Sequence, residues 1–449
     1  MHRGVFFFNE PSLMMTVRSV TLQKISLTLT LWIASGFAGA ADWSVYVQSA
    51  TNVSPQERAA KGQVILNTIK DGVAKGPDLA LAISRGDAAD AGLKERQSAV
   101  SPQIYTNLEL ANKRVSGVDR IGPSATVGVK QLIYDFGATK AGIDAANERF
   151  EASGLNVEAQ RLAAVYRGVS AWHELYRLRE LVKVKRMTVE QLLSLRSRIE
   201  ERVNIGGSAP SELLKIDARL ALMETELAKL LSAEGAAEAQ WLETTGVSVP
   251  SELNVHPDSI QSLRNISAKD LEGYLAKFPA QQERWKRLEA LRLTLVAVQN
   301  GERPNVYLDV STTKLLNASG SSDRGVALVL QYDLFNGGAS QARVNRALSD
   351  VAQFEAEIAL QARQFTTLGL QTIAEIRAGD MALRATRNSA RVALETLQAT
   401  TVQFQANRGS LFDVLRTAED LDDAASALIE TETRLSLNYY RMRYVASDL

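Results

Sequence analysis

The chain has no cysteine, and it has only three histidines among its 449 residues, His2, His173 and His256. Without cysteine there can be no disulfide, no thiolate metal site and no cysteine nucleophile. Three scattered histidines are too few for a histidine-based metal cluster. We find no catalytic constellation of side chains and no cofactor motif, so we expect a protein that is not an enzyme and that holds neither a metal nor a cofactor.

The chain also has no net charge, since 51 lysines and arginines balance 51 aspartates and glutamates. A protein that binds nucleic acid usually carries an excess of basic residues or a basic domain. The balance therefore gives no indication of a nucleic-acid partner.

Long apolar runs are missing apart from one near the N-terminus. Arg18 and Lys24 precede the run from Ile25 to Phe37, and the small residues Ala38 to Ala40 follow it. This order is typical of an export signal cleaved near Ala40, and the run is shorter than the roughly 20 residues of a membrane helix. We assign residues 1–40 to a signal peptide, and the sequence leaves the start open between Met1, Met14 and Met15. A protein of this composition can enter a membrane only as strands.

Proline is absent from two long stretches, residues 138–204 and 339–406. Each stretch is predicted to be one helix, and a helix of this length rises about 100 Å. A compact globule of the same chain length would be only about 60 Å across. The sequence therefore predicts an elongated protein, mainly α with a small β part.

The β part consists of four predicted strands, at residues 104–110, 125–133, 305–312 and 326–334. In the last of them Val326, Leu328 and Leu330 alternate with other residues, which is the period of a strand. Glycines that end the second and fourth strands, Gly137, Gly337 and Gly338, are predicted to form strand-to-helix turns. The residues that we assign to the barrel strands are Ile104, Leu108, Val127, Val129, Val306, Leu308, Leu328 and Leu330.

Two spacings repeat along the chain. The interval from Pro77 to Pro102 equals that from Pro279 to Pro304, and the interval from Gly137 to Val203 equals that from Gly338 to Phe404. Such agreement indicates a tandem structural duplication. We place the first repeat at residues 41–245, a polar connector at 246–275 and the second repeat at 276–449. Heptad spacing in the helix after Pro210 predicts helices that pack along their length.

Four strands from one chain cannot close a pore, and an open sheet leaves unpaired edges that lipid does not tolerate. An exported protein with such strands therefore suggests an outer-membrane barrel built from several chains. Two chains would supply eight strands and three would supply twelve, and periodicity alone does not choose between them.

With these features in place, residues 60–446 resemble the TolC family of outer-membrane efflux and secretion channels. The resemblance is carried by the proline-opened helices, by the turn sequences at residues 134–137 and 334–338, and by the sequence Phe404-Gln-Ala-Asn-Arg-Gly-Ser-Leu-Phe-Asp-Val-Leu. It implies a homotrimer with a twelve-stranded barrel in the outer-membrane lipid and a helical tunnel in the periplasm. It also implies a belt around the tunnel, for which the connector at residues 246–275 and the C-terminal residues after Tyr440 are the candidates. Finally, it implies a passive duct that works with a periplasmic adaptor and an inner-membrane transporter or ABC exporter.

In this family the helical tips close the pore and dock the adaptor. By resemblance, the gate residues are Asp413 and Glu212, with Arg416 where well-known members carry a second acid, and Arg416 is expected to pair with Asp413. We therefore expect the pore entrance to be less cation-selective, and less sensitive to block by divalent cations, than an entrance with two acids. The residues predicted at the adaptor-docking tip are Gly206, Gly207, Phe404, Asn407, Arg408 and Gly409.

One alternative from another class stays open, a soluble periplasmic coiled-coil adaptor or structural protein. Two equal helix-strand-strand-helix halves are not typical of an adaptor. The sequence also leaves the cargo open between small molecules and a protein secreted by a type I system.

Overall fold

The computed structural model describes residues 43, 55–115, 118–250, 253, 266–316 and 322–449. The predicted signal peptide and most of the connector, residues 251–252 and 254–265, lie outside the described residues. The mainly helical class with a small sheet, predicted from the sequence, is confirmed. Among the helices described, none is long and apolar enough to cross a membrane.

Eight long or medium helices are described, and most of their ends lie within a few residues of the predicted ones. One is unexpected, because residues 268–275 of the predicted connector are helical. The helices are α1 (Pro55–Ala74), α2 (Pro77–Ser98), α3 (Ala138–Asn204), α4 (Pro210–Thr245), α5 (Ala268–Lys277), α6 (Pro279–Asn300), α7 (Ala339–Gln405) and α8 (Leu411–Val445).

The strands form one antiparallel sheet in the order β1-β2-β3-β4. They are β1 (Gln103–Val115), β2 (Val118–Tyr134), β3 (Asn305–Leu315) and β4 (Asp323–Gln331). The central pair joins the two halves of the chain, with Val129 opposite Val310. The first and last strands are the edges of the sheet, and each pairs on one side only within the described residues.

The fourth strand is shorter at its end than predicted. It stops at Gln331, which pairs with Asn305, whereas the prediction continued to Leu334. The partner strand begins directly after Pro304, and proline has no N–H to extend the ladder. Residues 332–335 therefore leave the sheet, and the side chains of Leu334 and Phe335 are 87% and 88% exposed.

The register places all eight predicted strand residues on one face of the sheet. Directly opposed residues point to the same side, and the ladder opposes Ile104 to Val129, Leu308 to Leu328 and Val306 to Leu330. The other face is polar: the Tyr105 hydroxyl donates to the Asp309 carboxylate at 2.9 Å, and Lys130 lies over the Tyr307 ring at 4.0 Å. The alternation read from the sequence thus separates an apolar face from a polar one.

The duplication is visible in the helices. Both α3 and α7 have 67 residues, and they begin at the equivalent positions Ala138 and Ala339. Equivalent side chains cap them, because the Asp135 carboxylate accepts from the Thr139 N–H at 2.6 Å and the Asn336 side-chain oxygen accepts from the Ser340 N–H at 3.2 Å. The preceding turns use positive φ at Gly137, Gly337 and Gly338, which an L side chain would resist.

Two compact units can be distinguished. The first, here called the tip unit, includes Leu181–Leu230 and Thr386–Ala427; the second, the sheet unit, includes Ser54–Glu180, Leu231–Ala385 and Leu428–Leu449. In the tip unit the predicted heptad seam is buried at Ile216, Leu220 and Met223. In the sheet unit the largest buried side chains include Trp172, Trp241 and Tyr439.

Candidate functional site

The two predicted tips are short loops in the tip unit, at residues 205–209 between α3 and α4 and at 406–410 between α7 and α8. Gly206 has φ 76° and Asn407 has φ 56°, the left-handed geometry that ends helices. The N–H of Gly207 donates to the Arg202 carbonyl at 2.7 Å, and that of Arg408 donates to the Gln403 carbonyl at 2.9 Å. The two helix ends therefore carry the same terminating hydrogen bond at equivalent positions of the two repeats.

Gly409 lies close to the end of α7, and its φ is not in the left-handed region. A Cβ at this position would lie 3.2 Å from the backbone nitrogen of Phe404, which is tighter than most real contacts. At Gly207 the nearest atom, the Arg202 carbonyl oxygen, would be 3.4 Å away. A side chain at Gly409 would therefore require the neighbouring backbone to shift by a few tenths of an ångström, whereas one at Gly207 would need a smaller adjustment.

Asp413, the predicted gate acid, forms a capping box with Ser410. The Ser410 hydroxyl donates to the Asp413 carboxylate at 2.7 Å, and the Asp413 N–H donates back to that hydroxyl at 3.2 Å. These hydrogen bonds hold the pKa of Asp413 below its usual range, and the charge of Arg416 acts in the same direction. Among the described residues the expected direct contact between Asp413 and Arg416 is not formed, so Arg416 acts through its field alone.

Glu212 occupies the equivalent position in the first tip but lacks that cap. Ala209 stands where the second tip has Ser410, and only its backbone carbonyl accepts from the Glu212 N–H, at 3.0 Å. The Glu212 side chain is half-buried, whereas that of Asp413 is exposed. The two acids are thus equivalent in sequence position but different in their hydrogen bonds.

A residue that the sequence did not indicate joins the two tips. Arg202, at the end of α3, donates to the side-chain oxygen of Asn407 at 2.7 Å, and its guanidinium lies 5.1 Å from the centre of the Phe404 ring. Both contacts cross from the first repeat to the second. An arginine in a helical pattern gives no signal of this, because its partners lie in the other repeat.

The tips also carry side chains that are mostly exposed. Ile205 is 79% exposed and Phe412 63% exposed. Arg408 is exposed and forms no ion pair with any residue that the structure describes. A surface that combines apolar side chains with an exposed cation is suited to a protein partner.

The apolar face of the sheet is the second candidate surface. Ile104 is 79%, Leu108 74% and Leu328 71% exposed. Aromatic side chains lie exposed near the strand ends: Tyr134 is the last residue of β2, and Phe335 lies four residues after the end of β4. A wide apolar face bordered by aromatic residues is typical of strands in contact with lipid.

No group of three or more metal-ligating His, Asp or Glu side chains is found in the described part of the chain.

Comparison with known families supports this picture. Residues 69–246 match the model of a family described as outer membrane efflux protein. This part of the chain is therefore similar to outer membrane efflux proteins. The resemblance to TolC-type channels that the sequence indicated is thereby confirmed. No curated protein sequence matches the chain significantly.

Solved structures show the same fold over most of the chain. The outer membrane protein VceC of Vibrio cholerae is 16% identical, with a TM-score of 0.75, and the match covers 88% of this chain and 98% of VceC. A membrane protein of Pseudomonas aeruginosa is 15% identical with a TM-score of 0.76, covering 85% of this chain and 92% of that one. The Campylobacter jejuni outer membrane channel CmeC is 14% identical with a TM-score of 0.73, covering 86% of each chain.

Proposed function

We propose that three copies of this chain form a passive exit duct through the outer membrane. The duct extends into the periplasm and works in efflux with a periplasmic adaptor and an inner-membrane transporter or ABC exporter. The observation that carries the proposal is the sheet, which has one exposed apolar face and two open edges.

The apolar face supports contact with lipid. Side chains such as Leu328, 71% exposed, and Leu110, 83% exposed, would each leave apolar area in water at a cost of about 25 cal/mol per Å². The opposite face, with Lys130, Asp309 and the hydroxyl pair Thr126–Thr313 at 2.9 Å, is suited to a water-filled lumen. The predicted strand residues from Ile104 to Leu330 are therefore assigned to the lipid side.

The open edges support assembly. In lipid each unsatisfied backbone group costs several kcal/mol, so β1 and β4 need partners there. If β4 of one copy pairs with β1 of the next, every edge is satisfied, and three copies give the twelve strands that the resemblance implies. We also propose that residues 246–275 contribute to a belt around the helical part.

Cross-linking tests the assembly directly, because the chain has no cysteine of its own. The double variant Leu108→Cys/Leu328→Cys places one thiol on each edge strand. In outer membranes treated with a flexible bis-maleimide we expect a covalent trimer. The control Val129→Cys/Val310→Cys places both thiols at directly opposed positions of the central strand pair and should cross-link only inside a chain.

The same experiment addresses the alternative. A soluble periplasmic adaptor would be released with the periplasmic fraction, and the double variant would give no trimer. That result would overturn the proposal that the protein forms a duct.

The exposed tips support the adaptor as a partner, and the proposed contact residues remain Gly206, Gly207, Phe404, Asn407, Arg408 and Gly409. The family description favours efflux over protein secretion as the process. Deleting the gene distinguishes the two: increased drug susceptibility with unchanged secreted proteins would support efflux, and loss of a secreted protein would support type I secretion.

A further inference from the structure

In the sheet unit, an open cavity of about 540 Å³ lies between α2, α3, α6 and α7. Small side chains provide the space, because Ala82, Ala152 and Ala290 are buried at its base. Leu291 and Phe354 supply the larger apolar side chains of the lining, here called the apolar wall. A concave site of this size with a few polar groups is typical of small-molecule binding.

Positive charge dominates the remaining wall. Three arginines line the cavity, Arg85, Arg149 and Arg287, against a single acid, Glu283. That acid is buried and already paired, because Arg287 lies 2.8 Å from its carboxylate. The other two arginines form no ion pair with any residue in the described ranges.

Arg149 is held in place without being neutralised. Its guanidinium donates to the Thr294 hydroxyl at 2.7 Å, which orients it but supplies no negative charge. Burial, and next the nearby charge of Arg96, lower the pKa of Arg149. A cation in this position is stabilised by any anion that enters the cavity.

We propose that this cavity binds a small organic carboxylate, with Arg85 and Arg149 at the carboxylate and Phe354 and Leu291 against its apolar body. The planar guanidinium matches the geometry of a carboxylate and donates two parallel hydrogen bonds to it. An inorganic anion would use the arginines but not the apolar wall. A neutral apolar molecule would use the wall but leave both arginines uncompensated.

The test is calorimetric titration of the purified full-length protein in detergent with 1-naphthoate, compared with the neutral 1-naphthalenemethanol. We expect saturable binding of one naphthoate per chain, at least tenfold tighter than the alcohol. Arg149→Gln and Arg85→Gln should each weaken naphthoate binding by about tenfold, as expected for loss of a charged hydrogen-bond donor. The matched control is Arg161→Gln, an exposed arginine of α3 that pairs with Glu158 and does not line the cavity; it should leave binding unchanged.

A second variant should change the affinity for naphthoate in the opposite direction. Glu283→Gln removes the one negative charge of the cavity and releases Arg287, so naphthoate should bind several-fold more tightly. Absence of saturable binding, equal affinity for the acid and the alcohol, an equal loss in Arg161→Gln, or weaker binding in Glu283→Gln would each overturn the proposal. Because the readout is binding in solution, it does not depend on whether the assembled protein conducts.

Discussion

The ammonium nitrogen of Lys185 lies 2.6 Å from the carboxylate of Asp422, and the two side chains are only 9% and 5% exposed. The pair joins α3 to α8 inside the tip unit. Glu226 of α4 lies 2.7 Å from the same ammonium and is 50% exposed, while the Thr188 hydroxyl donates to Asp422 at 2.7 Å. Burial alone would lower the pKa of Lys185, but the hydrogen bonds to Asp422 and Glu226 outweigh it and raise that pKa.

Lys185→Met is expected to be strongly destabilising. It leaves the buried Asp422 carboxylate with the Thr188 hydroxyl but no cation, and breaking a buried ion pair from one side costs about 3–5 kcal/mol. Asp422→Asn should cost less, because Lys185 keeps the partly exposed Glu226. Denaturant unfolding of the purified protein, followed by circular dichroism, measures both.

The double variant Lys185→Met/Asp422→Leu is the control for this prediction, since it removes both charges and should recover most of the lost stability. If the double variant instead lost as much unfolding free energy as the two single variants together, the two charges would not compensate each other.

Arg202→Ala is expected to loosen the second tip as well as the first. The change removes the hydrogen bond to Asn407 and the contact with the Phe404 ring, which together contribute about 1 kcal/mol at an exposed site. Amide hydrogen exchange should therefore rise about fivefold at residues 404–408. Arg408→Ala is the control. It removes an exposed arginine of the second tip that forms no ion pair with any described residue, and it should leave exchange at residues 203–207 unchanged. Exchange that rises only around residue 202 would mean that the tips are independent.

The missing cap of the first tip can be supplied. Ala209→Ser would place a hydroxyl three residues before Glu212, as Ser410 stands before Asp413, and should stabilise the start of α4 by about 0.5–1 kcal/mol. Ser410→Ala should destabilise α8 by a similar amount. Unfolding midpoints of the two variants should therefore move in opposite directions, and a decrease in both would contradict the equivalence of the tips.

The long helices, the duplication and the alternation of the strands could be predicted because each depends on residues close in sequence. Periodicity places Val326, Leu328 and Leu330 on one face whatever the partner strand is. The Lys185–Asp422 pair and the Arg202–Asn407 contact could not be predicted, because each joins positions that are far apart in the sequence and lie in different repeats. The predicted end of the fourth strand was wrong for the same reason, because this end is set by Pro304, which directly precedes the neighbouring strand.

Asp413 remains the predicted gate residue, and Arg416 offers a matched variant. Because its capping hydrogen bonds lower the pKa of Asp413, the carboxylate stays charged through the neutral range. In planar-bilayer recordings we expect weak divalent-cation block of the unsubstituted protein, and stronger block and cation selectivity in Arg416→Glu, which adds a second acid one turn later. Strong micromolar block that survives Asp413→Asn would contradict this role.

His173 gives the sheet unit a dependence on pH. Its ring is buried, with Nε2 2.9 Å from the Ser436 hydroxyl and Nδ1 2.7 Å from the Val169 carbonyl, and the rings of Trp172 and Tyr440 pack against it. Burial lowers the pKa of His173 from 6.5 to about 4. The pKa of Tyr440 is raised, also by burial, so this phenol stays neutral as His173 titrates.

Between these two pKa values the unfolded chain binds the proton and the folded protein does not. Stability from this residue is therefore complete above pH 6.5 and is lost as the pH falls towards 4, by about 3 kcal/mol in all. His173→Gln keeps a polar side chain but cannot titrate. The carboxylates titrate in the same way in the unsubstituted protein and in His173→Gln. The difference between the unfolding free energies of these two proteins should therefore narrow on acidification from pH 7 to pH 4. A constant difference across this range would mean that the pKa of His173 is the same in the folded and the unfolded chain, and would contradict the lowered pKa.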